Sequence, residues 1–281
     1  MGSPEAYREG MTVAVGPEVG WAPHTLLIHR DESHRRASVG AWVQRGLQRG
    51  ERIFYATVAG DTHLGVDLSP GGVDVPRAVR DGQLTFVPSE EFFPGAQQAT
   101  LVRRALAEGY PGVRLSARAD PAIREVGAEQ FQVIDQVMDE LCATLPVSVL
   151  CQYDAVAATG TADAAGLTTA VDNHLEAFQD GQMRVQHRGD RVSVGGEVDL
   201  VSADVLAHAL RRMYRPGHSS EMVLDLADMA FVDVAGCRAL VTGTEALRDD
   251  GGRVFLRGIS VHVGKVMALL GIDRQPGMDL A

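Results

Sequence analysis

Between Met222 and Gly236 the chain reads Met-Val-Leu-Asp-Leu-Ala-Asp-Met-Ala-Phe-Val-Asp-Val-Ala-Gly, and this run leaves few architectures open. Met222 to Leu226 has the apolar density of a buried strand, a short turn follows, and Phe231 and Val232 touch the core again. Asp233 then stands at the mouth of a helix expected from about Ala235 to Leu247, with Cys237, Leu240, Val241, Thr244 and Leu247 on one face. A strand that delivers a carboxylate and then a small residue to a helix N-terminus builds an exposed corner at the positive end of the helix dipole. The side chain of Asp233 is placed to cap that helix.

The flanks continue the same α/β alternation. Arg191 to Leu200 alternates like a half-buried strand and contains Gly196-Glu197-Val198-Asp199. Ser202 offers an N-cap, and Val205, Leu206, Ala209, Leu210 and Met213 form a helical stripe stopped by Pro216-Gly217. Asp249 to Gly252 ends the switch helix, Val254 to Leu256 is a strand, and Val261, Val263, Val266, Leu269 and Leu270 mark a last helix. From about Met183 to Asp273 this order resembles the STAS domain, the sulfate transporter and anti-sigma factor antagonist family. The resemblance makes Asp233, Val234, Ala235 and Gly236 a partner-binding switch loop, with Asp199 and Asp225 as supporting acidic positions. In the regulatory members the residue after the aspartate is a serine that a partner kinase phosphorylates. Here it is Val234, which has no hydroxyl, and Thr242 and Thr244 lie one to two turns into the helix.

The preceding two thirds also alternate strand and helix, which predicts a parallel sheet covered on both faces. Strands are expected at His24–His29, Glu51–Val58, Leu84–Val87, Val113–Ser116 and Val147–Tyr153, and helices from Glu32 to Arg49, Gly72 to Asp81, Gln97 to Glu108 and Ile123 to Leu145. A small-residue loop, Ala155 to Gly166, and a helical piece carrying His174 follow. His24, the run Gly46-Leu47 with Gly50-Glu51, the strand Gly112-Val-Arg114 and the segment Leu150-Cys-Gln-Tyr-Asp154 resemble the MEDS domain, the methanogen and methylotroph sensory module. That resemblance implies a sensory role and a RecA-like core without a phosphate loop, and no Gly-Lys-Ser/Thr occurs in the chain. The family tends to show His-Pro where this chain has His174-Leu175.

His24, His29 and His34 recur every five residues, but on a strand the first two point to opposite faces and the third enters the next helix. A surface or packing role is therefore expected for them, and no metal, cofactor or catalytic residue is expected. Glu51 and Asp154 sit at strand edges, where α/β folds place ligand-binding carboxylates, and with His24, Cys151 and Tyr153 they make up the candidate sensory pocket. No Gly-x-Ser-x-Gly, His-Glu-x-x-His or Cys–His pairing is legible. Cys142, Cys151 and Cys237 read as reduced, buried thiols. A net charge of -11 with dispersed arginines argues against direct nucleic-acid binding. No run is long enough to span a bilayer, and no signal peptide is seen, so a cytoplasmic location is expected.

The expectation is thus an α/β chain of two domains, a RecA-like parallel-sheet sensor without a P-loop at 21–177 and a small STAS domain at 182–275. The two are expected to fold separately and to join near Glu176 to Gln182. The expected function is a non-enzymatic regulator in the manner of anti-sigma factor antagonists. It would bind an anti-sigma factor or serine-kinase-type ATPase through the switch loop, with a small-molecule ligand at the sensory domain. Two other readings stay open: a small-molecule-sensing module whose STAS domain only scaffolds an assembly, and an enzyme using the N-terminal pocket.

Overall fold

The computed structural model describes residues 24–58, 68–93, 97–155, 166–171, 174, 176–179, 183–188, 191–214 and 220–280. Among the described residues, twelve strands form one sheet. They are β1 (His24–His29), β2 (Arg52–Thr57), β3 (Leu84–Pro88), β4 (Val113–Arg118), β5 (Val147–Asp154), β6 (Glu176–Gln179), β7 (Met183–Arg188), β8 (Arg191–Val198), β9 (Glu221–Asp225), β10 (Met229–Val232), β11 (Arg253–Arg257) and β12 (Met278–Leu280). Their order is β12-β11-β9-β8-β7-β6-β1-β5-β4-β2-β3, with β10 paired to β8. From β3 to β6 every pairing is parallel. The strands β6, β7 and β8 pair antiparallel, and the rest of the C-terminal part is parallel again.

The main helices are α1 (Glu32–Gln48), α2 (Gln97–Ala107), α3 (Ala119–Val126), α4 (Ala128–Thr144), α5 (Ala203–Met213), α6 (Val234–Gly243) and α7 (Val261–Leu269). Strand parity divides the N-terminal core in two. Leu27 and Leu150 pack with Val39, Trp42 and Val43 of α1, whereas Leu26, Ile28, Val149 and Cys151 join Phe131, Ile134 and Met138 of α4. Both faces are covered, which is why β1 and β5 read as nearly continuous apolar runs.

Several expectations are corrected by local chemistry. The helix expected from Ile123 to Leu145 is two helices, α3 and α4, broken at Gly127, whose φ of 82° lies in the left-handed region. The switch helix ends at Gly243, and a short second helix, Glu245–Asp249, follows. At the break the Thr244 hydroxyl donates back to the Leu240 carbonyl at 2.7 Å, a local bond that competes with the helix ladder. On α7 the inward residues are Val263 and Met267, while Val261 and Leu269 are exposed, because a 3.6-residue period cannot hold all five apolar positions on one face. Ser202 occupies the N-cap of α5 without making a side-chain cap bond; the Asp199 carboxylate instead accepts from the backbone N–H of Val201 (2.9 Å) and Ser202 (3.2 Å). The polar stretch near Glu176 to Gln182 begins with a paired strand, β6, hydrogen-bonded to β1 on one side and β7 on the other. Its Asp180–Gln182 and the Pro216-Gly217 stop lie outside the described residues.

Glu51 precedes β2 at the N-terminal edge of the sheet and pairs with the buried Arg114 of β4. The same guanidinium donates to the Trp42 carbonyl at 2.9 Å and lies 4.7 Å from the Trp42 ring centre. A Cβ at Gly46 would come 2.5 Å from the Arg114 stem, so the Gly-Leu-x-x-Gly-Glu run is a cradle for one buried cation. Removing this carboxylate partner strands that charge. Glu51→Ala is expected to lower unfolding stability by about 3 kcal/mol, and adding Arg114→Met to recover part of the loss. Urea denaturation of the two variants checks both values.

Candidate functional site

The parity that splits the core also assembles a polar cluster inside it. Cys151 sits opposite Leu26 in the β1–β5 register, so His24, two residues before Leu26, points to the same face. That face is covered by α4, where Asp135 and Asp139 lie one turn apart. The chain after a helical turn at 166–171 then brings in His174. His24, Asp135, Cys151 and His174 are all buried, and one N, O or S atom from each lies within 4.8 Å of the others.

The contacts fix the chemistry of each group. His24 Nε2 is 3.5 Å from Cys151 Sγ and 3.8 Å from Asp135 Oδ1. Its Nδ1 is 2.7 Å from Asp139 Oδ1, so the ring donates there and keeps its Nε2 lone pair. His174 Nδ1 donates to the Ala170 carbonyl at 2.7 Å and is 3.6 Å from Asp135 Oδ2. The two imidazole centres are 4.3 Å apart. His174 Nε2 and Asp135 Oδ2 are buried with no hydrogen-bond partner. Burial pushes the Asp135 carboxyl up to about 7 against the opposing pull of His24. Burial, and then Asp135, raise the Cys151 thiol well above its usual range, and burial, then His24, push the His174 imidazole well below its own.

Of the surface or packing role expected for His24, the surface half does not hold, since His24 is buried and pairs with Cys151. Sequence spacing compared His24 with His29 and His34, whereas its partners come from residues 111 to 150 positions away in the chain (Asp135 to His174). Asp135, Asp139 and the position of His174 escaped the sequence reading. A signal was present: Asp135 falls on the apolar stripe of Phe131, Ile134, Met138 and Leu141, where a carboxylate is out of place. A small apolar cavity lies beside the cluster, lined by Asp135 and Cys151 together with Phe92, Phe93, Leu115 and Phe131.

The other candidate pocket residues are dispersed. Tyr153 is buried on the Cys151 face, against Gly166. Asp154 ends β5 at the C-terminal edge of the sheet, 3.9 Å from Arg118, while Glu51 is at the opposite edge. Near Asp154, the buried His29 has an unpartnered Nε2. Burial lowers its imidazole to about 4, against the pull of Asp154.

In the C-terminal part, Asp233 caps α6 through Oδ1, which accepts from the Gly236 N–H at 2.8 Å, and its Oδ2 accepts from the Leu200 N–H at 3.0 Å. Gly236 is obligatory here, since a Cβ would sit 2.6 Å from the Val198 carbonyl oxygen. Ala235 is half-buried. Val234, the first helical residue, is 56% exposed; Phe231 (49%), three residues earlier, and Leu200 (76%), whose N–H bonds Asp233, are exposed as well. Asp199 and Asp225 stabilise turns: Asp225 Oδ1 accepts from the Ala227 N–H at 3.1 Å. The two regions also touch. Arg212 of α5 donates to the carbonyls of Val171 and His174, both at 2.9 Å, and α5 packs on α6, where Gly243 meets Leu210 and Ala207.

A parallel-sheet α/β unit is thus joined through β6 and β7 to a second α/β unit that carries the strand–helix corner at Asp233. Residues 23–175 match the MEDS family, the methanogen/methylotroph, DcmR sensory domain, and residues 182–280 match the family described as Mlab, STAS domain. The chain belongs to the MEDS family and continues into a STAS domain; both are signalling rather than catalytic domains. No curated protein matches the chain. Among the described residues, no helix is long and apolar enough to cross a membrane.

The buried His29 generates a pH prediction. Its folded value of about 4 lies below the ordinary 6.5, so between those values the unfolded chain binds the extra proton. Relative to His29→Leu, the wild type should lose stability as pH falls from about 6.5 toward 4, by about 3 kcal/mol in all. Chemical denaturation of both proteins at pH 7 and pH 4 measures the difference.

Proposed function

We propose that this chain is a signalling regulator that acts in the manner of an anti-sigma factor antagonist. Its STAS domain, taken as 182–275, binds an anti-sigma factor or a related serine-kinase-type ATPase through Asp233, Val234, Ala235 and Gly236. Its sensory domain, taken as 21–177 and read as a RecA-like core without a phosphate loop, supplies the input. The observation that supports this reading best is the exposure of Val234 at the mouth of a helix whose cap is already satisfied by Asp233. An apolar side chain held in solvent by a rigid corner is suited to burial by a partner.

Phosphorylation of a serine at this position would add about two negative charges and oppose burial. Val234 removes that control and leaves the corner in its uncharged form. Input then comes from the sensory domain, and the Arg212 bonds to the carbonyls of Val171 and His174 are the contact that would relay it. A cytoplasmic location and a small-molecule ligand belong to the same reading. The cavity beside Asp135 and Cys151 favours a second version, in which the chain senses a small molecule and the STAS domain only scaffolds an assembly.

Val234→Asp is expected to weaken partner binding by on the order of a hundredfold, because an unpaired carboxylate would be buried in the interface. Val234→Ser should bind as the wild type does. Titration calorimetry against an anti-sigma ATPase that co-purifies with the chain measures both, and equal affinity for Val234→Asp rejects this corner as the interface. Arg212→Ala should leave the isolated contact patch intact while removing any effect of sensory-domain variants on that affinity.

A further inference from the structure

We propose that His24, Asp135, Cys151 and His174 form a binding site for one divalent transition-metal ion, and that zinc is the ion the donor set suits best. Two imidazoles, one thiolate and one carboxylate are the ligand types of a closed, four-coordinate zinc site, whereas calcium and magnesium select oxygen donors. Tetrahedral bonds of about 2.0–2.3 Å place neighbouring donor atoms about 3.3–3.8 Å apart. The pairs His24 Nε2–Cys151 Sγ (3.5 Å) and His24 Nε2–Asp135 Oδ1 (3.8 Å) already have that spacing. The widest separation in the group, 4.8 Å, closes with a shift of about 1 Å, which side-chain torsions supply.

The surroundings are built for ligation. A metal-bound histidine normally donates its other ring N–H to a carboxylate or a backbone carbonyl, which sets the tautomer and the ring orientation. His24 does the first through Asp139, and His174 the second through the Ala170 carbonyl. Both rings are thereby held with Nε2 as the lone-pair nitrogen. His174 Nε2 and Asp135 Oδ2 are buried polar atoms without a partner, a costly condition that a cation relieves. Charge also balances: a thiolate and a carboxylate offset a divalent ion, so the filled site adds no net charge to the core. Loading displaces the protons of the thiol and of the carboxyl to solvent, with no change of oxidation state.

A hydrogen-bonded polar cluster with no ion is the competing account, and metal titration separates the two. Full-length protein, stripped with a chelator and dialysed, should bind one equivalent of zinc by elemental analysis. Cobalt should produce the visible bands of a tetrahedral ion and a near-ultraviolet thiolate-to-cobalt band. Cys151→Ser should abolish that charge-transfer band and weaken zinc binding at least tenfold, while Cys142→Ser leaves both unchanged. Asp139→Asn keeps all four ligands and should weaken zinc binding by about 10–100-fold through the His24 ring. Should Cys151→Ser fail to fold in chelator, as judged by circular dichroism, the Cys142→Ser and Asp139→Asn proteins decide. The proposal is overturned if the wild type takes up less than one tight equivalent, if cobalt gives no thiolate band, or if folded Cys151→Ser and Asp139→Asn bind zinc as the wild type does.

Discussion

The register between β1 and β5 is the constraint on which the N-terminal half depends. It sets His24 opposite Val149 and Leu26 opposite Cys151, and so decides which side chains face α1 and which face α4. A slip of one residue would exchange the two sets and carry His24 away from Cys151. Such a slip would also set apolar side chains packed by α4 against the polar network on the other face. There Arg35 donates to Gln152 at 2.9 Å and Gln152 to Ser116 at 2.9 Å. Polar groups on both faces thus specify the pairing more sharply than aliphatic packing alone would.

The buried polar groups are satisfied to different degrees, and the differences separate support from function. Arg114 has a carboxylate, a carbonyl and an aromatic face, and nothing about it points to a ligand. The cluster around His24 is incomplete, with a carboxylate oxygen and an imidazole nitrogen left over in the core. Two such atoms meet within one cluster of metal-ligand side chains, a condition that a bound cation would relieve. Both clusters involve residues that carry the resemblance to the sensory family, yet only one has the geometry of a site.

The STAS part reverses this logic. Its switch corner is fully satisfied at the backbone by Asp233 and sterically fixed by Gly236, and what it leaves open is apolar surface. The N-terminal part leaves polar atoms unmet in its core, and the C-terminal corner leaves apolar area open at its surface. They are tied by a continuous sheet through β6 and by Arg212, whose bonds reach the backbone of His174 itself. Arg212 thus joins α5 to the backbone of His174, and α5 packs on α6.

The sequence by itself determined β1 to β5, β8, β9 and β11 and most helices, because strand parity and helical periodicity are local properties of the chain, whereas β6, β7 and β12 were not legible in it. It also determined the capped corner at Asp233, since the cap bond to Gly236 spans only three residues. Boundaries failed where a single residue overrode the pattern, at Gly127 and at Thr244. Only the tertiary structure decided the sensory cluster. His24, Asp135, Cys151 and His174 come from four segments, and no spacing rule links them. Glu51 shows the converse: its motif is local and legible, but its role as the partner of Arg114 rests on a strand more than sixty residues away, at a separation of 63. Periodicity tells which face a residue takes; only the order of strands in the sheet tells which residues share that face.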